Sequence, residues 1–218
     1  MKYQYILFDL DGTLIDSSSG IKKSIILTMD ALQKPAIDEE KLKLFIGPSL
    51  WDSFREYCFM EGEELARAVD TYRFFYSDDD KLFDAYLYDG MRDLLAALQE
   101  KNAKTAIATM KLEIYTKRIL EKFSLTSLFE VACGSTPQTI GGKKGVIERC
   151  LSSLKCIDTS QAVLVGDSTL DAQGALDAGI DFIAAGYGLG FHTQEEIDSV
   201  NSVFWANNVA ELSDFLLL

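Results

Sequence analysis

Hydrophobic residues in this chain fall into two patterns, short continuous runs and stripes at helical spacing. The first run, Tyr5-Ile6-Leu7-Phe8-Asp9-Leu10, is rich in strand formers and meets two carboxylates one residue apart, Asp9 and Asp11, followed by Gly12. It predicts a buried strand, with Gly12 allowing the tight turn that ends it. Side chains alternate between the faces of a strand, so Asp9 and Asp11 are expected on one face at its carboxyl end. Open α/β sheets place their ligands there. Two carboxylates so close repel each other, and a bound cation or a shared proton relieves them.

The next segment has no strand pattern. Ser17-Ser18-Ser19 offers a helix cap, and Ile21, Ile25, Met29 and Leu32 follow at helical spacing as far as Lys34-Pro35. A second short helix is expected over Asp38–Phe45, stopped by Gly47-Pro48, and others over Leu50–Cys58 and Glu63–Ser77. This is a helical block inserted after the first strand. From Tyr88 the rhythm changes. Helices are predicted over Met91–Lys101, Leu112–Phe123, Gly145–Leu154, Leu170–Ala178 and Val209–Leu217. Short strands fall between them at Thr105–Thr109, Phe129–Ala132, Ala162–Gly166, Asp181–Ala184 and Ser202–Trp205. Strands alternating with helices imply βαβ units and a mostly parallel sheet covered on both faces. The expected fold is therefore α/β, a Rossmann-like three-layer core over residues 1–16 and 85–218, with an all-helical domain inserted at 17–84. Gly186-Tyr187-Gly188-Leu189-Gly190 follows a strand but lacks dinucleotide-binding spacing, so it is read as a loop.

Composition narrows the partners. The 218 residues are 48% hydrophobic and 25% charged, and a net charge of −13 argues against a nucleic-acid or anionic-membrane surface. A local cation or metal can still reverse the field in a cleft for a small anionic substrate. Cys58, Cys133, Cys150 and Cys156 are scattered without a CxxC pair, as expected of reduced residues and not of a disulfide framework or zinc site. The opening apolar run is interrupted by carboxylates, which argues against a signal peptide, and no run approaches the ~20 residues of a membrane span. A soluble, cytoplasmic protein is expected, as a monomer or homodimer.

Chemistry gathers at the strand ends. Beside Asp9 and Asp11, the Thr105–Thr109 strand ends in a hydroxyl with Lys111 after it. Gly141-Gly142-Lys143-Lys144 opens a helix with two cations, and Gly166-Asp167-Ser168-Thr169-Leu170-Asp171 follows another strand. In a parallel sheet these ends share an edge. Carboxylates without histidine or thiolate suit Mg2+, and a hydroxyl and a lysine beside it suit a phosphate. Taken singly, Thr109 could be a helix cap, Lys143 a solvated charge, and Asp167 and Asp171 a turn.

FDLDGTL, Thr109 with Lys111, the Lys143 loop and GDSTLD resemble the four motifs of the haloacid dehalogenase superfamily, over essentially the whole chain. The helical insertion resembles its small-cap class. Phe45-Ile46-Gly47-Pro48-Ser49-Leu50 with Ser53-Phe54-Arg55-Glu56-Tyr57 resembles a bacterial phosphoglycolate phosphatase or 5'-nucleotidase branch. The resemblance implies an Mg2+-dependent phosphatase acting on a small phosphorylated metabolite. Asp9 would be its nucleophile and Asp11 its general acid and base. Asp9, the backbone carbonyl of Asp11, Asp167 and Asp171 would hold the metal. Thr109 and Lys143, preferred over Lys144, would hold the phosphate, with Gly12, the backbone of Met110, and Lys111 beside it. Gly47, Pro48 and Arg55 would belong to substrate selection, although an ordinary surface ion pair suits Arg55 as well. Cap closure would hinge near Asp16–Gly20 and Leu82–Asp89. Met110 departs from the asparagine often found there, and two glycines precede Lys143.

Rival chemistries fit less well. No cysteine has an arginine six residues later, as a cysteine phosphatase needs, and the sole histidine, His192, is read as a loop residue. A Gly166-Asp167-Ser168 esterase would lack its histidine base. A sugar phosphomutase of the same fold typically carries a hinge histidine, where this chain has Ile15-Asp16-Ser17-Ser18. A non-catalytic binding protein would not need the complete set of charged groups.

Overall fold

The computed structural model describes all residues except Pro137 and His192, so the reading of His192 as a loop residue lies outside the described residues. The chain divides into two compact units, Met1–Asp16 with Leu87–Leu218, and Ser17–Tyr86. Among the described residues no helix is long and apolar enough to cross a membrane.

The first unit is built on β1 (Tyr5–Phe8), four buried residues at the middle of a six-stranded sheet. With β4 (Lys104–Leu112), β5 (Val131–Ser135), β6 (Ala162–Gly166), β7 (Asp181–Ala185) and β8 (Phe204–Ala206), the spatial order is β5-β4-β1-β6-β7-β8. All the described pairings in this sheet are parallel. A parallel strand buried on both faces needs a continuous apolar run, which is what Tyr5–Phe8 and Ala162–Gly166 supply. Leu7, Ala106, Leu164 and Phe182 share a core with Val146, Ile147 and Leu151 of α8 (Gly142–Ser153) and Ala172 and Ala175 of α9 (Thr169–Ala178). By alternation, Ile6, Phe8 and Val165 turn to the other face, where Phe8 meets Phe129 edge to face with centroids 6.3 Å apart. Helices α6 (Met91–Glu100), α7 (Glu113–Lys122), α10 (Gln194–Ser199) and α11 (Val209–Leu217) complete this unit.

The second unit contains α1 (Ser18–Ala31), α2 (Glu39–Lys43), α3 (Leu50–Cys58), α4 (Gly62–Tyr76) and α5 (Asp79–Leu82). α1 packs on α4 and α5, and the side chain of Asp84 accepts from Ser19 at 2.7 Å and Lys23 at 2.6 Å. β2 (Ile15–Asp16) and β3 (Tyr86–Leu87), the strands flanking the insertion, form a two-stranded sheet.

Several details differ from the sequence reading. Ser17 occupies the N-cap position of α1 without making a side-chain cap bond. β1 stops at Phe8, so Asp11 does not continue its alternation; it forms an isolated bridge to Ile15 in the turn. β4 runs on through Thr109, Met110 and Lys111 to Leu112, with a register irregularity against β5 between Ala108 and Leu112. β5 lies two residues later than the apolar run suggested, and α8 starts at Gly142, so Lys143 sits in its first turn. α5 and α10 are too short to leave a hydrophobic stripe.

Leu164 is fully buried at the centre of β6. Leu164→Ala is expected to destabilise the protein by about 3 kcal/mol, through lost burial and the cavity left behind. Urea unfolding of the two proteins measures this, and a change below 1 kcal/mol, on the order of a surface substitution, would contradict the packing described.

Candidate active site

The site forms where the strand order places the carboxyl ends of β4, β1 and β6 side by side. Asp9 directly follows β1, and its backbone N–H donates to Val165 O at 2.9 Å, which fixes it against β6. Its carboxylate meets Lys143, whose Nζ lies 2.5 Å from Asp9 Oδ1 and 2.5 Å from Asp171 Oδ1. Lys143 projects from the first turn of α8 and threads past α9 at Gly174, where an added Cβ would come 2.5 Å from Lys143 Cγ. Only a residue without a side chain leaves that path open.

Asp171 is fixed by a capping box at the start of α9. The Ser168 Oγ donates to Asp171 Oδ2 at 2.7 Å and the Ser168 N–H does so at 3.2 Å, while the Asp171 N–H donates back to Ser168 Oγ at 3.3 Å. Asp167, at the end of β6, accepts from the Leu189 N–H at 2.8 Å. Gly12 has a φ of +78°, and a Cβ there would lie 1.8 Å from Asp167 Oδ2, so this turn requires glycine for both its backbone and its contact. Oxygens of Asp9, Asp167 and Asp171 all lie within 4.8 Å of one another, and all three residues are buried.

Asp11 takes a different partner. Lys111 Nζ lies 2.8 and 3.0 Å from its two carboxylate oxygens, and both side chains are largely withdrawn from solvent. Thr109 is buried in the same stretch of β4, and its Oγ1 accepts from the Lys111 N–H at 3.2 Å. Met110 between them is exposed. Lys144, by contrast with the buried Lys143, is half-buried and faces Glu148 at 3.7 Å. In the helical unit, Gly47 and Pro48 precede α3, and Arg55 forms an exposed ion pair with Asp52 at 3.0 Å.

Crowding of carboxylates sets the electrostatics. Burial, followed by the charges of Asp171 and Asp11, pushes the Asp9 carboxyl up to about 7, with Lys143 opposing. Burial and the charges of Asp171 and Asp9 raise Asp167 well above the usual carboxylate range, against the Leu189 N–H and Lys143. Burial works against the Lys143 ammonium, but Asp171 and Asp9 outweigh it and hold its pKa above the ordinary lysine value. Three carboxyls facing one ammonium would carry two uncompensated negative charges in a buried place if all were ionised, so Asp9 and Asp167 hold their protons more firmly.

The family model of haloacid dehalogenase-like hydrolases matches residues 6–185. The chain belongs to that family. Among relatives of this haloacid dehalogenase-like hydrolase, the tyrosine-protein kinase PtkA of Mycobacterium tuberculosis is 33% identical over 214 residues, covering 98% of this chain and 72% of that protein. A 5'-nucleotidase of Pseudomonas aeruginosa is 28% identical over 216 residues, covering 99% and 96%. A solved haloacid dehalogenase-like family hydrolase from Streptococcus pneumoniae superposes with a TM-score of 0.89 at 28% identity, over 99% of each chain.

Four supporting groups of this hydrolase were not singled out from the sequence. They are Ser168, Gly174, the Leu189 N–H and Tyr187, whose hydroxyl donates to Thr13 O at 3.0 Å. Ser168-x-x-Asp171 carries the capping-box spacing, a signal open to reading. The Gly186–Gly190 stretch is a loop, and its contact with Asp167 comes from tertiary structure alone.

The raised Asp9 pKa gives a pH dependence. The folded state holds the Asp9 proton from the ordinary value near 3.8 up to about 7, where the unfolded chain has released it. Its contribution to stability therefore falls as pH rises through that window. In chelator, the stability of the wild type relative to Asp9→Asn, measured by urea unfolding, is expected to decline between about pH 4 and pH 7 and then level off. A difference that is flat, or that grows with pH, would contradict the crowding described.

Proposed function

We propose that this protein is an Mg2+-dependent phosphomonoester hydrolase that acts on a small phosphorylated metabolite through an aspartyl-phosphate on Asp9, in the manner of a phosphoglycolate phosphatase or a 5'-nucleotidase. The observation that carries the reading is the split between the two carboxylates of the first motif. Asp9 sits with Lys143 and two further aspartates, while Asp11 sits apart on Lys111.

The donor set fits a hard divalent cation. Every side chain in the cluster offers carboxylate oxygen, none offers nitrogen or sulfur, and with all three ionised their excess of two negative charges over Lys143 matches a dication. Asp9, Asp167, Asp171 and the backbone carbonyl of Asp11 would hold it. Bound there, the ion supplies charge neutralisation for an incoming phosphate.

The remaining steps belong to the chain. The Asp9 carboxylate attacks phosphorus in line, forming an acyl phosphate as the bond to the leaving oxygen breaks. Asp11 delivers the proton that the departing alkoxide needs, then takes one from the water that attacks the same phosphorus and restores Asp9. Thr109, Lys143 and the backbone N–H of Met110 hold the non-bridging oxygens as charge redistributes. Lys111 positions Asp11. Gly47, Pro48 and Arg55 of the helical unit remain the candidates for selecting the substrate, with Arg55 suited to a second anionic group. Hydrolysis is favoured over a mutase reaction because the hinge residues Ile15-Asp16-Ser17-Ser18 include no histidine.

Phosphate release from a panel of phosphorylated metabolites and p-nitrophenyl phosphate, with Mg2+ and with chelator, tests the proposal. Mg2+-dependent release is expected, with Asp11→Asn lowering kcat by about 10²–10⁴. Asp9→Asn is expected to abolish turnover. No release from any phosphomonoester would sink the hydrolase reading, and full activity in chelator would remove the metal. Consumption of substrate without free phosphate would move the reaction to transfer onto another acceptor.

A further inference from the structure

The Gly186–Gly190 loop, which the sequence pattern marks only as a connection, lies against two parts of the carboxylate site at once. Its base is fixed to the sheet. The Gly186 N–H donates to Ala206 O of β8 at 2.8 Å, and the Gly188 N–H donates to Ala185 O of β7 at 2.9 Å. From that base the Leu189 N–H reaches Asp167 Oδ2 at 2.8 Å. The Tyr187 hydroxyl reaches Thr13 O, in the turn after β1, at 3.0 Å. Gly188 stands between these two contacts, and a Cβ there would lie 2.3 Å from Asp167 Cβ and 2.4 Å from Gly12 O. The Tyr187 ring is itself met edge-on by Tyr88, with centroids 5.0 Å apart and planes at 74°.

We propose that this loop is a clasp that sets the choice of cation at the carboxylate site, favouring Mg2+ over the larger Ca2+, with Tyr187 as its positioning residue. This rests on the metal reading of Asp9, Asp167, Asp171 and the Asp11 carbonyl given above. Two of those ligands belong to separate elements, Asp11 to the turn after β1 and Asp167 to the end of β6. The loop grips both. Leu189 holds the Asp167 carboxylate in one rotation, while Tyr187 holds the Gly12-Thr13 backbone two residues beyond Asp11. The Thr13 hydroxyl is buried and finds no hydrogen-bond partner among the described residues, so the turn meets the loop through its backbone.

Cation size makes that grip selective. Mg2+ demands nearly ideal octahedral geometry at about 2.0–2.1 Å, so the spacing of its ligands has to be set in advance. Ca2+ accepts six to eight oxygens at about 2.3–2.6 Å in looser arrangements. A ligand set that is free to spread therefore weakens Mg2+ binding more than Ca2+ binding. Like charge pushes this set toward spreading, since Asp171 and Asp9 both bear on Asp167. The clasp opposes that movement by tying Asp167 and the Asp11 turn to one short segment. Groups that hold a metal's ligands without touching the metal change its affinity by about 10–100-fold.

Isothermal titration of the whole protein, stripped with chelator and then given Mg2+ or Ca2+, tests the clasp. Thermal unfolding in chelator separates cation binding from folding. Tyr187→Phe removes a single oxygen. It is expected to raise the Mg2+ dissociation constant about tenfold or more and to move the Ca2+ constant much less, with the melting temperature in chelator little changed. Gly188→Ala, which sets a methyl against Asp167 and Gly12, should shift the same ratio further; Tyr187→Phe decides even where that protein fails to fold. Unchanged Mg2+ binding in Tyr187→Phe, equal weakening for both cations, or a lower melting temperature with both constants unchanged overturns the proposal. Wild-type protein that binds neither cation would count against the metal of the proposed function. Wild-type protein that binds Mg2+ no better than Tyr187→Phe does would count against the clasp alone.

Discussion

Charge balance at the carboxyl end of β1 governs this molecule. Asp9, Asp167 and Asp171 are buried within reach of one another, and Lys143 is the ammonium placed between two of them. Burial first, and the like charges held beside them second, raise the pKa values of Asp9 and Asp167. Structure around them is arranged to sustain that crowding. A capping box holds Asp171, a loop N–H holds Asp167, and a glycine without a side chain lets Lys143 pass. An arrangement that works against stability in this way is the mark of a site built for a ligand.

The sheet explains why these groups meet although they lie up to 162 residues apart, from Asp9 to Asp171. With β4 and β6 on either side of β1, parallel strands bring the motif ends to a single edge. The two first-motif aspartates are divided by the turn that follows β1. Asp9 stays with β6 and α8, while Asp11 faces Lys111 from β4. The proposed nucleophile and proton donor thus occupy different electrostatic surroundings, although one residue separates them.

The gathering of these charged groups was legible in the sequence because it is carried by residue type and spacing. Ala162–Gly166 has its predicted bounds, since a fully buried parallel strand leaves a continuous apolar run. Boundaries that depend on tertiary pairing were not legible. β4 extends to Leu112 because β5 and the Lys111–Asp11 pair lie alongside it, and no local preference of Met110 or Lys111 announces this. Alternation could not place Asp11, because the strand ends before it. The Leu189 N–H contact with Asp167 was out of reach for a similar reason: a backbone donor has no signature in residue identity. Ser168 is the exception, because Ser168-x-x-Asp171 carries the capping-box spacing in the sequence itself.

Asp9 is proposed to receive the phosphoryl group. Protein quenched during turnover of p-nitrophenyl phosphate with Mg2+, then treated with borohydride, tests it directly, because an acyl phosphate is reduced where a free carboxylate is not. Homoserine is expected at position 9 in the mapped peptides, and none in protein quenched without substrate. Steady turnover with position 9 still aspartate, or reduction at another carboxylate, would contradict it.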